Sequence, residues 1–276
     1  MCGRGWVVGG MPELPDVEGF RRVAQRAGGR QVRSVRVCDA QVLRGVGSGE
    51  FQEALRRRYF QAPWRWGKWL VIPTSGAPNG GPGTPAVLAH FGMTGSFEWC
   101  RHGGDVHPHD RVVFDFAPGE LRYHDMRKLT GLHLARQPGE VDELLAELGP
   151  DAQRVGVEEF GERLTRTRRG TKAALMDQSV LAGLGNICTD ELLWRARVHP
   201  NRATTKLSAD DLELLHQEMR VMLRDAVRAG RVPDDASWLT GHRDEPDQRC
   251  PRCSTALRRT RVGGRGTLWC PACQSD

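Results

Sequence analysis

The spacing of apolar residues divides this chain into two parts with different periods. From Asp16 onward, Phe20, Val23 and Ala24 fall on one helical face. Asp16 is a good N-cap and Glu18 makes the first turn acidic, so a helix is predicted over residues 16–28. Residues 31–37 alternate as a strand does, with Val32, Val35 and Val37 as its apolar positions, and residues 51–57 form a short helical pattern. The aromatic and basic run Trp64-Arg65-Trp66-Gly67-Lys68-Trp69-Leu70-Val71-Ile72 reads as one strand, and a glycine- and proline-rich loop follows over residues 75–85. Residues 86–91 read as a buried strand, 111–116 and 121–123 as a hairpin across Pro118-Gly119, and 130–134 as a further strand. Past Pro138 the period becomes helical. Residues 141–148, 157–164, 172–176, 190–197 and 209–229 repeat their apolar positions near 3.6, with charged outer faces.

These periods predict an α+β protein. A helix-flanked β-sandwich occupies residues 11–137, a helical domain 138–246, and a small cysteine-bearing hairpin 247–276; residues 1–10 are an extension or a mis-assigned start. A chain of 276 residues suits two modest domains. No run approaches the roughly 18 apolar residues that cross a membrane, and Trp6-Val7-Val8 is too short for a signal-peptide core. The expected location is the cytoplasm.

Charge adds a weak pointer and cysteine a strong one. The net charge is +6, and only Lys68, Lys128, Lys172 and Lys206 among the 40 basic residues are lysine. Arginine forks match phosphate oxygens, which makes a polyanion a fitting partner. Cys250-Pro-Arg-Cys253 and Cys270-Pro-Ala-Cys273 lie 16 residues apart. Two such knuckles fit tetrahedral zinc, and four thiolates leave no open position, so the metal holds shape rather than doing chemistry. Disulfides are the competing reading, at odds with a chain kept in a reducing compartment.

The octapeptide Met11-Pro12-Glu13-Leu14-Pro15-Asp16-Val17-Glu18 carries the candidate chemistry. Were Met11 the start and then removed, Pro12 would be a free secondary amine with a pKa near ~8, partly nucleophilic at neutral pH. Such an amine can attack C1′ of a deoxyribose and displace the base as an iminium forms. A turn with two prolines before an amphipathic helix has the same appearance.

This octapeptide resembles the N-terminus of the formamidopyrimidine-DNA glycosylase and endonuclease VIII family, and later segments match it in order through to the last residues. The resemblance implies a helix-two-turn-helix domain and a zinc finger, one structural zinc per chain, and a monomer acting on damaged double-stranded DNA held between the two domains. It makes Pro12 the nucleophile, Glu13 its acid/base partner, and Lys68 a residue reaching the lesion. It implies a bifunctional glycosylase and abasic-site lyase of base-excision repair, bacterial and nucleoid-associated. In His90-Phe91-Gly92-Met93-Thr94-Gly95, Met93 would fill the gap left by an extruded nucleotide.

Arg127-Lys128-Leu129 aligns with a second wedge loop, with Leu129 where the family carries an aromatic ring. Gly183-Leu184-Gly185-Asn186 matches the helix-two-turn-helix turn. Its glycines would admit phosphate to backbone N–H groups at a helix start, with Asn186 and Lys172 as phosphate contacts. Arg265, before Cys270, matches the arginine that grips the phosphates flanking the lesion. The family's aromatic phosphate contact is absent near Gly241, leaving His242 or Arg243 to replace it. Only 20 residues separate Ala229 from Cys250, where formamidopyrimidine enzymes carry a longer loop over 8-oxoguanine. That shortening, with the Leu-Ala-Gly-Leu-Gly-Asn wording, favours formamidopyrimidines, oxidised pyrimidines or abasic sites, in the manner of endonuclease VIII. The ten residues before Met11 matter chemically, because while they remain Pro12 is an amide. Retained, they imply a damaged-DNA binder without catalysis.

Overall fold

The computed structural model describes residues 11–275, so the expectation for residues 1–10 lies outside the described residues. The chain forms two compact units. One holds residues 11–12 and Val17–Ala146, the other Glu13–Asp16 and residues 147–275.

In the first unit, helix α1 (Leu14–Ala24) leads into eleven strands: β1 (Arg30–Gln31), β2 (Ser34–Val37), β3 (Leu43–Arg44), β4 (Tyr59–Phe60), β5 (Trp64–Trp66), β6 (Trp69–Ser75), β7 (Gly83–His90), β8 (Ser96–Cys100), β9 (Asp110–Phe116), β10 (Gly119–His124) and β11 (Gly131–Ala135). Helix α2 (Ser48–Leu55) sits between β3 and β4 in the chain, and α3 (Pro138–Leu145) follows β11. One sheet runs β1-β4-β6-β7-β11-β3 with β5 paired to β6, and the other runs β2-β9-β10-β8. Their inner faces enclose a phenylalanine-rich core. Phe60 meets Phe114 and Phe116 at 5.4 and 5.3 Å, and Phe91 meets Phe97 at 5.4 Å. Phe20 of α1 joins this cluster 4.5 Å from Phe91.

The strand pattern over residues 31–37 is in fact two strands in two sheets. Val32 donates to Arg58 and Arg33 donates to Asp115, so the backbone crosses from one sheet to the other between them. The run 64–72 is a hairpin rather than one strand. Trp66 pairs with Trp69, and Gly67 at φ +55° opens the two-residue turn, so Lys68 sits at its tip. Helix α3 packs Val141, Leu144 and Leu145 on Val71, Ala86, Leu88 and Ala135, which keeps it with the first unit although the sequence pattern turns helical at Pro138.

The second unit contains α4 (Val157–Thr165), α5 (Thr171–Met176), α6 (Asn186–Arg195), α7 (Ala209–Ala229) and the hairpin β12 (Arg258–Val262) with β13 (Arg265–Trp269). Leu175, Leu184, Leu192, Leu215, Met219 and Leu223 form its core together with Leu14. Ser208 and Asp211 close a capping box at the start of α7, and Gly230 ends it at φ 73°. Helix α6 begins one turn earlier than the apolar pattern suggests, at Asn186 instead of Asp190.

Candidate active site and nucleic-acid contacts

The first residues after Pro12 belong by packing with α6. Glu13 is 2% exposed, and its carboxylate accepts from the backbone N–H groups of Gly185 (2.8 Å), Ile187 (2.7 Å) and Cys188 (3.0 Å). An α-helix leaves its first N–H groups unpaired. Gly185 at the N-cap has no side chain to satisfy them, so Glu13 does it from 172 positions away. Leu14 also donates its backbone N–H to the Gly183 carbonyl at 3.1 Å. Asp16 accepts from the Glu13 N–H at 2.8 Å. Helix α1 therefore starts at Leu14, and Asp16 acts from its third position rather than as the N-cap.

These contacts explain the two glycines. A Cβ on Gly185 would lie 2.4 Å from the Glu13 carboxyl carbon, and one on Gly183, at φ +122°, would lie 2.5 Å from Leu14. The glycines were expected to open backbone N–H groups to phosphate. The donors of Gly185, Ile187 and Cys188 instead hold an anion belonging to the protein itself. Asn186 stands among them, and its side-chain Oδ1 is buried without a hydrogen-bond partner among the described residues.

In the first unit, two turns meet around Asp125, which is 1% exposed. Its Oδ1 accepts from the Thr94 hydroxyl at 2.6 Å and from the Arg127 N–H at 3.1 Å, and Thr94 in turn accepts from Arg127 N–H at 3.0 Å. The Arg127 guanidinium lies 3.0 Å from the Met93 sulfur, so the two residues expected to engage the gap and the orphaned base are neighbours. Leu129 is 55% exposed. Lys128 points elsewhere, bonding Asp39 at 3.0 Å and Gln41 at 2.5 Å. Asp125, and Arg44 through its bonds to the carbonyls of Lys128 and Thr130, hold this geometry; Thr94 is 31 positions from Asp125 and the Arg44 partners are 84 and 86 away, so the sequence does not mark the meeting of these segments.

Lys68 is buried and has no hydrogen-bonding or ion-pair partner among the described residues. A cation so placed is costly to keep without an anion. Beside it, burial and the positive charge of Lys68 lower the His90 pKa to about 4. Neutral His90 accepts the Gly92 N–H at Nδ1 (3.1 Å), at the entrance to the Met93 turn.

Lys172 is not placed as expected for a phosphate contact. It is fully buried, and its ammonium is taken by Asp190 (2.6 Å), Thr267 Oγ1 (2.7 Å) and the Gly266 carbonyl (3.3 Å). Arg243 also binds Asp190, at 2.5 Å, as does the Leu268 N–H at 3.0 Å. Asp190 thus fastens β13 to α6 and occupies Arg243, while His242 bonds Glu245 at 2.7 Å and the Ala236 carbonyl. Both residues are thus engaged within the protein, Arg243 through one nitrogen of its guanidinium. Arg265 is exposed, directly after the tight Gly263-Gly264 turn (φ 56° and 76°), with no carboxylate partner among the described residues.

The four cysteine sulfurs at 250, 253, 270 and 273 lie within 4.8 Å of one another. The Cys250–Cys273 distance is 3.9 Å, and Cys253 lies 3.5 Å from both Cys270 and Cys273. A tetrahedron with Zn–S bonds of 2.3 Å has edges of roughly 3.8 Å. The thiolates therefore fit zinc, and Trp194 adds an indole N–H 3.3 Å from Cys250 Sγ.

Comparison with known proteins agrees with this layout. Family models match the formamidopyrimidine-DNA glycosylase N-terminal domain at residues 11–132, the formamidopyrimidine-DNA glycosylase H2TH domain at 148–234, and the zinc finger found in FPG and IleRS at 247–275. A formamidopyrimidine-DNA glycosylase of Bacillus cereus is 33% identical over 285 residues, covering 96% of this chain and 99% of that protein. One from Acidothermus cellulolyticus is 35% identical, covering 96% and 97%. The crystal structure of a Lactococcus lactis FPG mutant with Fapy-dG-containing DNA superposes with a TM-score of 0.85 at 27% identity, covering 96% of this chain and 100% of that one. The same bacterium's enzyme bound non-covalently to abasic-site DNA gives 0.84 at 26% identity, with the same coverage.

The fold and its matches define a DNA-repair glycosylase that carries one structural zinc. More narrowly, the chain belongs to the formamidopyrimidine-DNA glycosylase family.

Three measurements test this geometry. Gly185→Ala should displace the Glu13 carboxylate and leave buried N–H groups unpaired, lowering stability by about 2–3 kcal/mol in urea unfolding. The depressed His90 pKa means the unfolded chain takes up this proton first as pH falls. The His90 contribution to stability should therefore decline between pH 6.5 and about 4 by at most about 3 kcal/mol, then level off. Comparing His90→Asn with the parent across that window isolates the effect, and equal slopes would refute it. Cys270→Ser should drop zinc content below one per chain and expose residues 247–275 to proteolysis.

Proposed function

We propose that the protein is a bifunctional glycosylase and abasic-site lyase, with Pro12 as nucleophile once its nitrogen is the free N-terminus. The single observation that carries this reading is the Glu13 carboxylate, fixed by three N–H groups beside Pro12. A carboxylate offers about four lone-pair sites. Oε2 uses two and Oε1 one, which leaves one site on Oε1 for the substrate's proton.

Pro12 nitrogen attacks C1′, and the bond from C1′ to the base breaks as the base leaves with the proton lost from that nitrogen. The C1′–O4′ bond then opens, O4′ taking up a solvent proton through Glu13, and the nitrogen lone pair closes the iminium at C1′. The resulting iminium acidifies the C2′ hydrogens, and successive β- and δ-eliminations expel the 3′ and 5′ phosphates. Glu13 relays protons in these steps, and general acid/base help is worth roughly 10²–10⁴-fold. Lys68, which has no partner among the described residues, serves the DNA at the lesion. Met93 fills the vacated space, and Arg127 with Leu129 faces the opposite strand. Arg265 and Asn186 take the flanking phosphates, while Lys172 acts through the hairpin it secures. The short connection after α7 favours formamidopyrimidines, oxidised pyrimidines and abasic sites over 8-oxoguanine. The protein acts as a monomer on nucleoid DNA. With residues 1–10 retained, Pro12 is an amide and the same surface binds damage without cutting it.

Borohydride trapping on abasic-site DNA tests the chemistry. A chain beginning at Pro12, verified by intact mass, should form a covalent adduct, and Pro12→Gly or the ten-residue-extended form should form little or none. No adduct from the chain beginning at Pro12 would reject the amine mechanism.

A further inference from the structure

The loop over residues 125–130 displays an apolar side chain to which the preceding mechanism gives no task. Five large hydrophobic residues are exposed among those described, and two of them, Met126 (52%) and Leu129 (55%), share this six-residue loop. Single exposed apolar residues are ordinary. Two of them flanking a cation on a fixed backbone form a built feature.

The backbone is held from several directions. Asp125 Oδ1 accepts from the Arg127 N–H and from the Thr94 hydroxyl. Arg44 donates to the carbonyls of Lys128 and Thr130, each at 2.8 Å. Lys128 takes φ 53° and turns its ammonium back onto Asp39. With these bonds in place, the loop cannot refold to bury Met126 without breaking a clamp on either side. The exposed thioether is therefore presented at a standing cost in hydrated apolar surface, which a partner with flat apolar faces relieves.

We propose that Met126 is a second apolar wedge. Resting on the DNA reading above, it inserts with Leu129 against the bases of the undamaged strand facing the lesion, and the pair does the work of the aromatic ring absent at position 129. Methionine suits this because it is unbranched and polarizable and adapts to irregular gaps between bases. An apolar wedge offsets part of the unstacking cost of a kinked duplex. Every base has a π-face, so Met126 supplies affinity without choosing among bases, and discrimination falls to Arg127.

The test uses the full chain and duplexes carrying a tetrahydrofuran abasic analogue opposite 2-aminopurine. Burying one methionine side chain corresponds to about tenfold in affinity. Met126→Ala should weaken binding by about that factor and reduce the rise in 2-aminopurine fluorescence, and Met126→Leu should restore both. On a duplex whose facing nucleotide also lacks its base, parent and Met126→Ala should bind within about twofold of each other. Unchanged binding on both duplexes, or an equal loss on both, overturns the proposal. A parent chain without preference for the analogue over undamaged duplex overturns the DNA reading itself, and this inference with it.

Discussion

One carboxylate at the start of one helix sets the terms for the rest of the second unit. Glu13 reaches the N-terminus of α6 and supplies the acceptor that Gly185 lacks. A negative charge there is favoured by the helix dipole as well as by the open N–H groups. The arrangement excludes any side chain at Gly185 and forces Gly183 into a conformation that only glycine adopts cheaply. The Gly-Leu-Gly-Asn turn thus serves first to seat an internal anion. Because Gly185, Ile187 and Cys188 already hold Glu13, their N–H groups are not open to an anion from outside.

The basic side chains divide along the same line. Lys172 and Arg243 converge on Asp190, and removing one partner from such a buried set costs about 3–5 kcal/mol because a charge is left stranded. Burial pulls the Lys172 pKa down while Asp190 opposes the shift. Lys128 is likewise occupied, by Asp39. Lys68 and Arg265 have no such partner among the described residues, and Arg127 touches only the Met93 sulfur through its guanidinium. A cation consumed inside the protein fixes shape; one left unpaired keeps its attraction for an anion from outside. Sequence alone cannot sort the two, because lysine at 68 and lysine at 172 look alike until their neighbours are known.

What the sequence disclosed follows the same physics. The zinc knuckles were legible because their ligands are two residues apart within each pair. Helix α7 matched its predicted span, 209–229, because its apolar positions repeat near 3.6, and the capping box and glycine that close its two ends are local as well. The hairpin of β9 and β10 was equally plain, with Pro118-Gly119 at its turn. The crossing at Val32-Arg33 was hidden, since both halves satisfy one alternating pattern while their hydrogen bonds go to different sheets. The turn at Lys68 was masked by tryptophans on both sides that read as continuous strand. The bond from Glu13 to Gly185 spans most of the chain, and nothing in either segment names the other.

The same carboxylate separates folding from chemistry at Pro12. Glu13 is held by its side chain and by the Asp16 bond to its N–H, and none of these contacts uses the Pro12 nitrogen. An acylated Pro12 therefore leaves the anchored carboxylate, the Met93–Arg127 pair and the zinc hairpin intact, since each depends on bonds made elsewhere. Acylation does abolish the lone pair that the proposed attack on C1′ requires. The family match begins at Met11. The contacts that hold Glu13, the Met93–Arg127 pair and the zinc hairpin rest on atoms other than the Pro12 nitrogen, and in the mechanism proposed above the release of that nitrogen decides only whether C1′ is attacked.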